Sequence, residues 1–190
     1  ISKNSYQELY KDFLHPNPHI NNQAVSKLQH EFPSQFMRML LTNLNNEDII
    51  LRRKSILALG EYGEESFNDI VQLYLNTNNK IIKVSCLKSI LKAVVTCEIK
   101  NVSEEVMSVV NHSLDEDSPE IILTAISLLK QLGLQGRSIL MRISRDENLL
   151  KAKASVSVLM EIKEPLVNNH LKELLNDDLI DPIIRDSISL

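Results

Sequence analysis

Apolar residues recur along this chain at the spacing of amphipathic helices, and the same pattern returns several times. The clearest example runs from Asn45 to Leu75. Its first half places Leu51 and Leu59 on one helical stripe with a period near 3.6 residues. A second apolar stripe follows Gly60 and Gly63. We therefore predict two helices broken at these glycines, with Gly63 as the left-handed residue that follows the end of the first helix.

Columns of equivalent residues align further copies of this helix pair. The first column joins a small residue to a branched apolar one: Ala24–Val25, Ser55–Ile56, Cys86–Leu87, Ala125–Ile126, Ser155–Val156 and Ser187–Ile188. Successive pairs lie 31, 31, 39, 30 and 32 residues apart. A second column contains Leu28, Leu59, Ile90, Leu129 and Leu159, and the second helices carry Leu40, Val71, Val110, Leu140 and Leu171. Because one such helix pair cannot bury its apolar faces alone, we predict an all-α fold, an α-solenoid of about six helical hairpins.

The repeat is continuous, so we predict a single domain over residues 1–190. Residues 1–14 are expected to form a capping helix, and the units start near residues 15, 45, 76, 115, 145 and 176 at polar turns. The third unit has eight extra residues, which we place near Cys97–Val102 at the edge of the stack. The sixth unit is expected to stop at Leu190 inside its first helix, which suggests a longer natural chain.

Composition narrows the classes of partner. The core must be aliphatic, since aromatic residues make up 4% of the chain and Trp is missing. The net charge is −4 without a dense run of Lys and Arg, so we expect no nucleic-acid partner. No run of 18 apolar residues occurs, and we predict no transmembrane segment. Two cysteines in 190 residues indicate a reducing compartment rather than a disulfide framework.

The candidate chemistry is sparse, and we predict neither catalytic residues nor a metal site. The five histidines do not have the spacings of zinc motifs, and no glycine-rich phosphate motif is present. Cys86 falls in the small-residue column and should be buried. Cys97 lies at a helix end beside the insertion, which makes it the candidate exposed thiol or ligand residue. Arg53 is either part of a solvated face or a contact for an anionic ligand.

The segment Asp48–Gly63, DIILRRKSILALGEYG, resembles the short HEAT-like repeat of phycobilisome lyases. The matching positions are Asp48, Arg52, Ser55, Ala58, Leu59, Gly60 and Gly63. The segment Leu14–Pro18, LHPNP, is also similar to cyanobacterial and plastid members of this group. The resemblance covers the whole chain as repeats, although only the second unit matches in detail. It implies a HEAT-type stack in which Asp48 and Arg52 bridge successive repeats.

The resemblance also implies a binding surface, because the second helices of many HEAT stacks line a concave face. Here those helices would present Gln35, Arg38, Asn68, Gln72, Ser108, Asn111, His112, Arg142, Asn169 and Lys172. This row is polar and mixed in charge. It suits a protein partner or an amphipathic ligand better than it suits a sealed active site.

Three functions follow from the resemblance. The first is a non-catalytic scaffold or chaperone that binds a phycobiliprotein or another component of photosynthetic pigment–protein assembly. The second is a bilin lyase subunit of the E/F type, which attaches a phycobilin to a phycobiliprotein or detaches it, in a homodimeric or heterodimeric assembly. The third is a partner of an iron–sulfur cluster scaffold that uses Cys97. All three imply the cytoplasm of a cyanobacterium or the stroma of a plastid.

Overall fold

The computed structural model describes residues 5–190, and helices joined by short turns account for most of them. In chain order the helices are α1 (Tyr6–Phe13), α2 (Pro18–Glu31), α3 (Pro33–Asn43), α4 (Ile49–Tyr62), α5 (Phe67–Leu75), α6 (Lys80–Thr96), α7 (Glu104–Leu114), α8 (Pro119–Gln131), α9 (Gly133–Ile143), α10 (Leu149–Glu161), α11 (Pro165–Leu175) and α12 (Pro182–Asp186). A 3₁₀ turn, Gly63–Ser66, joins α4 to α5. The predicted all-α class is confirmed, and residues 1–4 of the predicted capping helix lie outside the described residues.

The helices form two compact units, each of which packs on its own. The first unit ends at Cys97 and contains α1–α6, while the second begins at Glu98 and contains α7–α12. Within each unit, helices pack on their near neighbours in the chain, such as α1 on α2, α4 on α6, α7 on α8 and α8 on α9. This neighbour packing is the solenoid arrangement, as predicted. The single domain over residues 1–190 and its six unit boundaries stay predictions.

The repeat columns form the core of both units, which confirms the predicted register. Every member of the first-helix column is at most 1% exposed: Leu28, Leu59, Ile90, Leu129 and Leu159. The second-helix column is at most 3% exposed: Leu40, Val71, Val110, Leu140 and Leu171. Ile56 departs from its column because it is only half-buried.

The same hydrogen-bond pattern occurs in the polar turns before α4 and α10, and it explains why these turns carry Asn and Asp. The Asn46 side chain accepts a bond from the Asp48 N–H, and the Asp48 carboxylate then caps α4. One hundred residues later, Asp146 accepts from the Asn148 N–H, and Asn148 caps α10 in the same way. Each first helix that begins like this has its orphan N–H groups satisfied locally.

The predicted bridge from Asp48 and Arg52 to the next repeat is wrong. The Asp48 carboxylate caps its own helix, α4. The Arg52 guanidinium donates to the carbonyl of Asn46 in the turn before α4. The contact between successive repeats runs instead from the Asn79 amide to the Asn45 side-chain oxygen, at 3.2 Å. The Asn79 side chain can do this because its oxygen caps α6 while its amide nitrogen donates to the neighbouring repeat.

The prediction that Gly60 breaks its helix is also wrong, because Gly60 lies inside α4. A Cβ atom at this position would lie 2.4 Å from Cγ of Lys92 on α6, so glycine allows α4 and α6 to approach closely. Gly63 does end the helix, and its φ of 60° is positive as predicted. Its ψ of −140° is not that of the left-handed helical region but of an extended conformation almost restricted to glycine.

The insertion in the third unit is divided between a longer helix and a loop. Helix α6 has 17 residues against 14 in α4. The loop then runs to Ser103, which caps α7, and Val102 exchanges backbone hydrogen bonds with the side chain of Gln135. At the other end of the second unit, α12 stops at Asp186, so the expectation of a helix that continues to Leu190 is wrong.

Candidate functional site

The polar row predicted on the second helices lies at the surface of each unit. All ten residues are exposed. In the first unit, α3 and α5 carry Gln35, Arg38, Asn68 and Gln72. In the second unit, α7, α9 and α11 carry Ser108, Asn111, His112, Arg142, Asn169 and Lys172. We call these residues the second-helix surface.

The second-helix surface of the first unit contains a cavity of about 530 Å³. Its lining residues are Pro33, Ser34, Met37, Arg38, Leu41, Tyr62, Glu65 and Asp69. Arg38 is the predicted residue that reaches this cavity; Gln35, Asn68 and Gln72 are not among its lining residues. Apolar atoms of Met37 and Leu41 lie beside charged groups at the mouth, so the cavity can take an amphipathic group.

Tyr62 holds one wall of this cavity in place. Its hydroxyl donates a hydrogen bond to the Pro33 carbonyl at 3.1 Å, across the gap between α4 and α3. Burial, with smaller contributions from Tyr6 and Glu65, raises the pKa of Tyr62 to about 12. The phenol therefore stays protonated at neutral pH and acts as a donor that fixes the wall.

The second unit has a smaller cavity of about 270 Å³. It is lined by Asn111, Leu114, Asp115, Arg142, Ile143, Asp146 and Lys151. Here the structure brings together two predicted residues, because the Arg142 guanidinium donates to the Asn111 side-chain oxygen at 3.4 Å. The other predicted residues of this unit lie outside the cavity lining.

Charge balance in the smaller cavity comes from Lys151. Its ammonium lies 3.0 Å from the Asp146 carboxylate and 3.9 Å from that of Asp115. Burial alone would raise the pKa of Asp146, but hydrogen bonds from the Asn148 N–H and from Lys151 outweigh burial and lower it. The cavity is thus a small, internally compensated polar site, suited to a main-chain or amide group.

Sequence reasoning missed several residues of these cavities. Glu65 and Asp69 belong to the first cavity, and Asp115, Asp146 and Lys151 belong to the second. Asp115 and Asp146 could have been found from the sequence, since they occupy equivalent turns one repeat apart. Glu65 could not, because its position depends on the conformation of the 3₁₀ turn Gly63–Ser66 between α4 and α5.

The two cysteines have the predicted environments. Cys97 is exposed at the end of α6, whereas Cys86 is fully buried, and burial raises the pKa of the Cys86 thiol to about 12. Cys97 lies against Gly63, where an added Cβ atom would be 3.1 Å from its sulfur. The role of Cys97 as a ligand residue stays a prediction, and so does that of Arg53, which is exposed on α4 outside both cavities.

Within residues 5–190, no group of three or more His, Cys, Asp or Glu side chains is arranged to hold a metal ion. Likewise, none of the described helices has the length and apolar character needed to cross a bilayer.

The chain is similar in sequence to two cyanobacterial proteins, one from a phycocyanin operon and one of bilin biosynthesis. No protein-family model matches the chain. The chain is 22% identical over 184 residues to the uncharacterized phycocyanin operon protein Z of Pseudanabaena tenuis (strain PCC 7409), which covers 96% of this chain and 91% of that protein. It is 24% identical over 169 residues to the bilin biosynthesis protein CpeZ of Synechococcus sp. (strain WH8020), which covers 86% of this chain and 90% of that protein.

Among solved structures, the chain is similar to the X-ray structure of Escherichia coli YibA, with a TM-score of 0.53 and 13% sequence identity. That match covers 97% of this chain and 68% of YibA, and it supports the fold alone. The two sequence relatives support the predicted resemblance to phycobilisome bilin lyase-related proteins. The E/F type and the HEAT character of the repeat stay predictions.

Proposed function

We propose that this chain takes part in the production of bilin-bearing phycobiliproteins, as a scaffold that binds a phycobiliprotein through its second-helix surface. The observation that carries the proposal is similarity over nearly the whole chain to CpeZ, a bilin biosynthesis protein. The corresponding location is the cytoplasm of a cyanobacterium or the stroma of a plastid.

The geometry supports binding in preference to chemistry on the chain's own side chains. The second-helix surface is open and polar in both units, and each unit adds a cavity with an arginine at its edge. Arginine is a frequent anchor at protein interfaces because its guanidinium combines several donors with an apolar stem. Arg38 and Arg142 are therefore the anchors that we assign to the partner.

A second candidate is a bilin lyase subunit, and the larger cavity favours it. A phycobilin is a linear tetrapyrrole with apolar conjugated rings and two propionate groups. The cavity of about 530 Å³ offers Met37, Leu41 and Tyr62 to rings and Arg38 to a carboxylate. Its size lies within the range of roughly 300–1,000 Å³ typical of small-molecule sites.

One mixing experiment distinguishes the scaffold from the lyase subunit. The chain is incubated with an apo-phycobiliprotein, with and without phycocyanobilin, and the products are resolved by size exclusion and by denaturing gel with bilin fluorescence. A complex with the apo-protein that forms without bilin supports the scaffold. Covalent bilin on the phycobiliprotein that depends on this chain supports the lyase. Neither complex nor transfer would overturn the scaffold and a lyase that works without a second subunit.

Arginine variants locate the surface. We expect Arg38→Ala and Arg142→Ala each to weaken capture of the apo-protein about five- to thirtyfold, the effect of losing about 1–2 kcal/mol at an interface anchor. Arg53→Ala is the matched control, since Arg53 is an exposed arginine on a first helix. Loss of capture in Arg53→Ala alone would place the partner on the first helices.

A further inference from the structure

A groove separates the first helices α2 and α4 in the first unit. It has a volume of about 510 Å³ and is lined by Pro16, Pro18, Asn21, Asn22, Val25, Ser26, Gln29, Lys54, Leu57, Ala58 and Glu61. By contrast, α4 packs directly on α6 within the same unit, and α10 packs directly on α8 in the second unit. Helix α2 instead makes its main contacts with α1 and α3.

The repeat register identifies the residues that α2 and α4 place at this groove. Gly60, which allows the close approach of α4 to Lys92 on α6, lies 31 residues after Gln29. Gln29 is therefore the equivalent residue of α2, and Glu61 is the equivalent of Lys92. Gln29, which occupies in α2 the position that Gly60 occupies in α4, lines the groove between the two helices.

The groove has a different charge at each end. Lys54 is half-buried, and its ammonium uses one donor on the His15 carbonyl at 3.0 Å, which leaves two N–H groups. Glu61 is exposed and has no cationic partner among residues 5–190. In the second unit, the equivalent Glu161 pairs with Lys130. Glu61 thus lacks the cation that its repeat equivalent has.

The wall and floor between these charges are amphipathic. Asn22, Ser26 and Gln29 supply amide and hydroxyl groups along α2, and Leu57 remains 50% exposed above the buried Ala58. Side-chain amides can donate and accept at once, which matches the alternating N–H and C=O groups of an extended chain. A helical ligand has no free main-chain groups at its centre and would leave these amides desolvated without partners.

We propose that this groove binds an extended polypeptide segment of a protein partner, with an acidic residue against Lys54 and a basic residue against Glu61. Lys54 and Glu61 are seven positions apart on α4, which corresponds to a rise of about 10 Å. In an extended ligand, two residues four positions apart point to the same side and lie about 13 Å apart, within reach of both side chains. The residue midway between them should be small and apolar, facing Leu57. None of the groove residues belongs to the second-helix surface, so the groove is independent of the function proposed above.

The test uses the whole chain and defined peptides. The probe is a fluorescein-labelled peptide with blocked ends, Ser-Glu-Thr-Val-Thr-Lys-Ser, and a second peptide in which Glu replaces Lys. Fluorescence anisotropy should show the Glu/Lys peptide bound two- to fivefold more tightly than the Glu/Glu peptide, as expected for one partly exposed charge pair. In Glu61→Lys this preference should invert.

Two controls decide the outcome. Glu31→Lys makes the same charge change at an exposed position of α2 outside the groove, and it should leave the peptide preference unchanged. A peptide that is N-methylated at Val and both Thr residues should bind the wild-type chain at least tenfold more weakly. Equal binding of both charge variants by Glu61→Lys, or full affinity of the N-methylated peptide, overturns the proposal.

Discussion

The two units follow one repeat plan but are held together by different side chains. All eight aromatic residues of the chain precede Cys97, and the second unit has none. In the first unit the rings contact one another in series, with Tyr6 on Phe32 and Phe13 on Phe36, each at 5.5 Å between ring centroids. In the second unit, ion pairs link neighbouring repeats, among them Lys130–Glu161, Arg137–Glu164 and Arg145–Asp177.

This difference shows how far one repeat pattern can vary in its energetics. A buried aromatic ring removes much more apolar surface from water than an aliphatic side chain does. The ion pairs of the second unit are partly exposed, and such pairs contribute about 0–1 kcal/mol each. The first unit should therefore depend on a few rings, while the second depends on its aliphatic columns.

The largest effect should come from Phe36→Ala. Phe36 is fully buried and contacts Phe13 edge to face, so the variant should lose about 3–5 kcal/mol of unfolding free energy. Urea unfolding followed by tyrosine fluorescence measures it, because all four tyrosines lie in the first unit. Leu75→Ala is the control at a half-exposed apolar site. A loss below about 1 kcal/mol would show that the ring cluster does not hold the unit.

Leu129→Ala tests the aliphatic column of the second unit. Leu129 is 1% exposed, and its truncation should cost about 2–5 kcal/mol. Far-ultraviolet circular dichroism measures the loss. If the chain is the single domain that the repeat pattern predicts, the tyrosine signal should shift with it. Two separate transitions would contradict that prediction, and a cost below about half a kcal/mol would contradict the column alignment.

Thiol labelling compares the edge and the core of the first unit. Cys97 is exposed, while Cys86 is fully buried with a pKa raised to about 12, so Cys97 should react at least about a hundredfold faster. Cys86→Ser and Cys97→Ser identify the two rates with a colorimetric disulfide reagent. Faster labelling of Cys86 would mean that the small-residue column is wrongly placed.

Ile56→Ala should cost less than its place in the repeat suggests. The pattern predicts full burial, but Ile56 is half-buried on α4, so about 1 kcal/mol is expected. Leu59→Ala, three residues along the same helix and fully buried, is the matched comparison and should cost several times more. Equal costs in urea unfolding would contradict the observed orientation of α4.

The smallest effect concerns acid and the ion pairs of the second unit. A hydrogen bond from Arg145, with one from the Leu179 N–H, lowers the pKa of Asp177. A lowered folded-state pKa stabilises the fold above the unfolded value, about 3.9, and that contribution disappears as pH falls through the folded value. Asp177→Asn should therefore melt slightly below wild type at pH 6 and level with it near pH 2. A difference that persists at pH 2 would mean that lost packing, not charge, is responsible.

Much of the fold was predictable because its signals are local. Buried columns follow from helical periodicity, and Asn17, Asp48, Asn79 and Asn148 cap helices from positions that any polar turn before an apolar run indicates. For the candidate site, the polar row that the resemblance implied on the second helices is exposed, but the resemblance did not indicate which of its members share a cavity. Arg38 and Asp69 belong to different helices, and nothing between them in the chain encodes their separation.

The amino-acid sequence by itself determined the helices, their register and the small-residue column, since each depends on contacts within a few residues or on one repeated spacing. Only the tertiary structure decided the roles of Gly60 and Gln29, which the repeat pattern does not indicate. Gly60 looks like a helix breaker in the sequence, yet it lies inside α4 as the point of close approach to α6. Gln29 looks like an ordinary surface residue, yet it lines an open groove. The distance between two helices depends on side chains about 30 residues apart, and their fit is set by packing rather than by any local propensity.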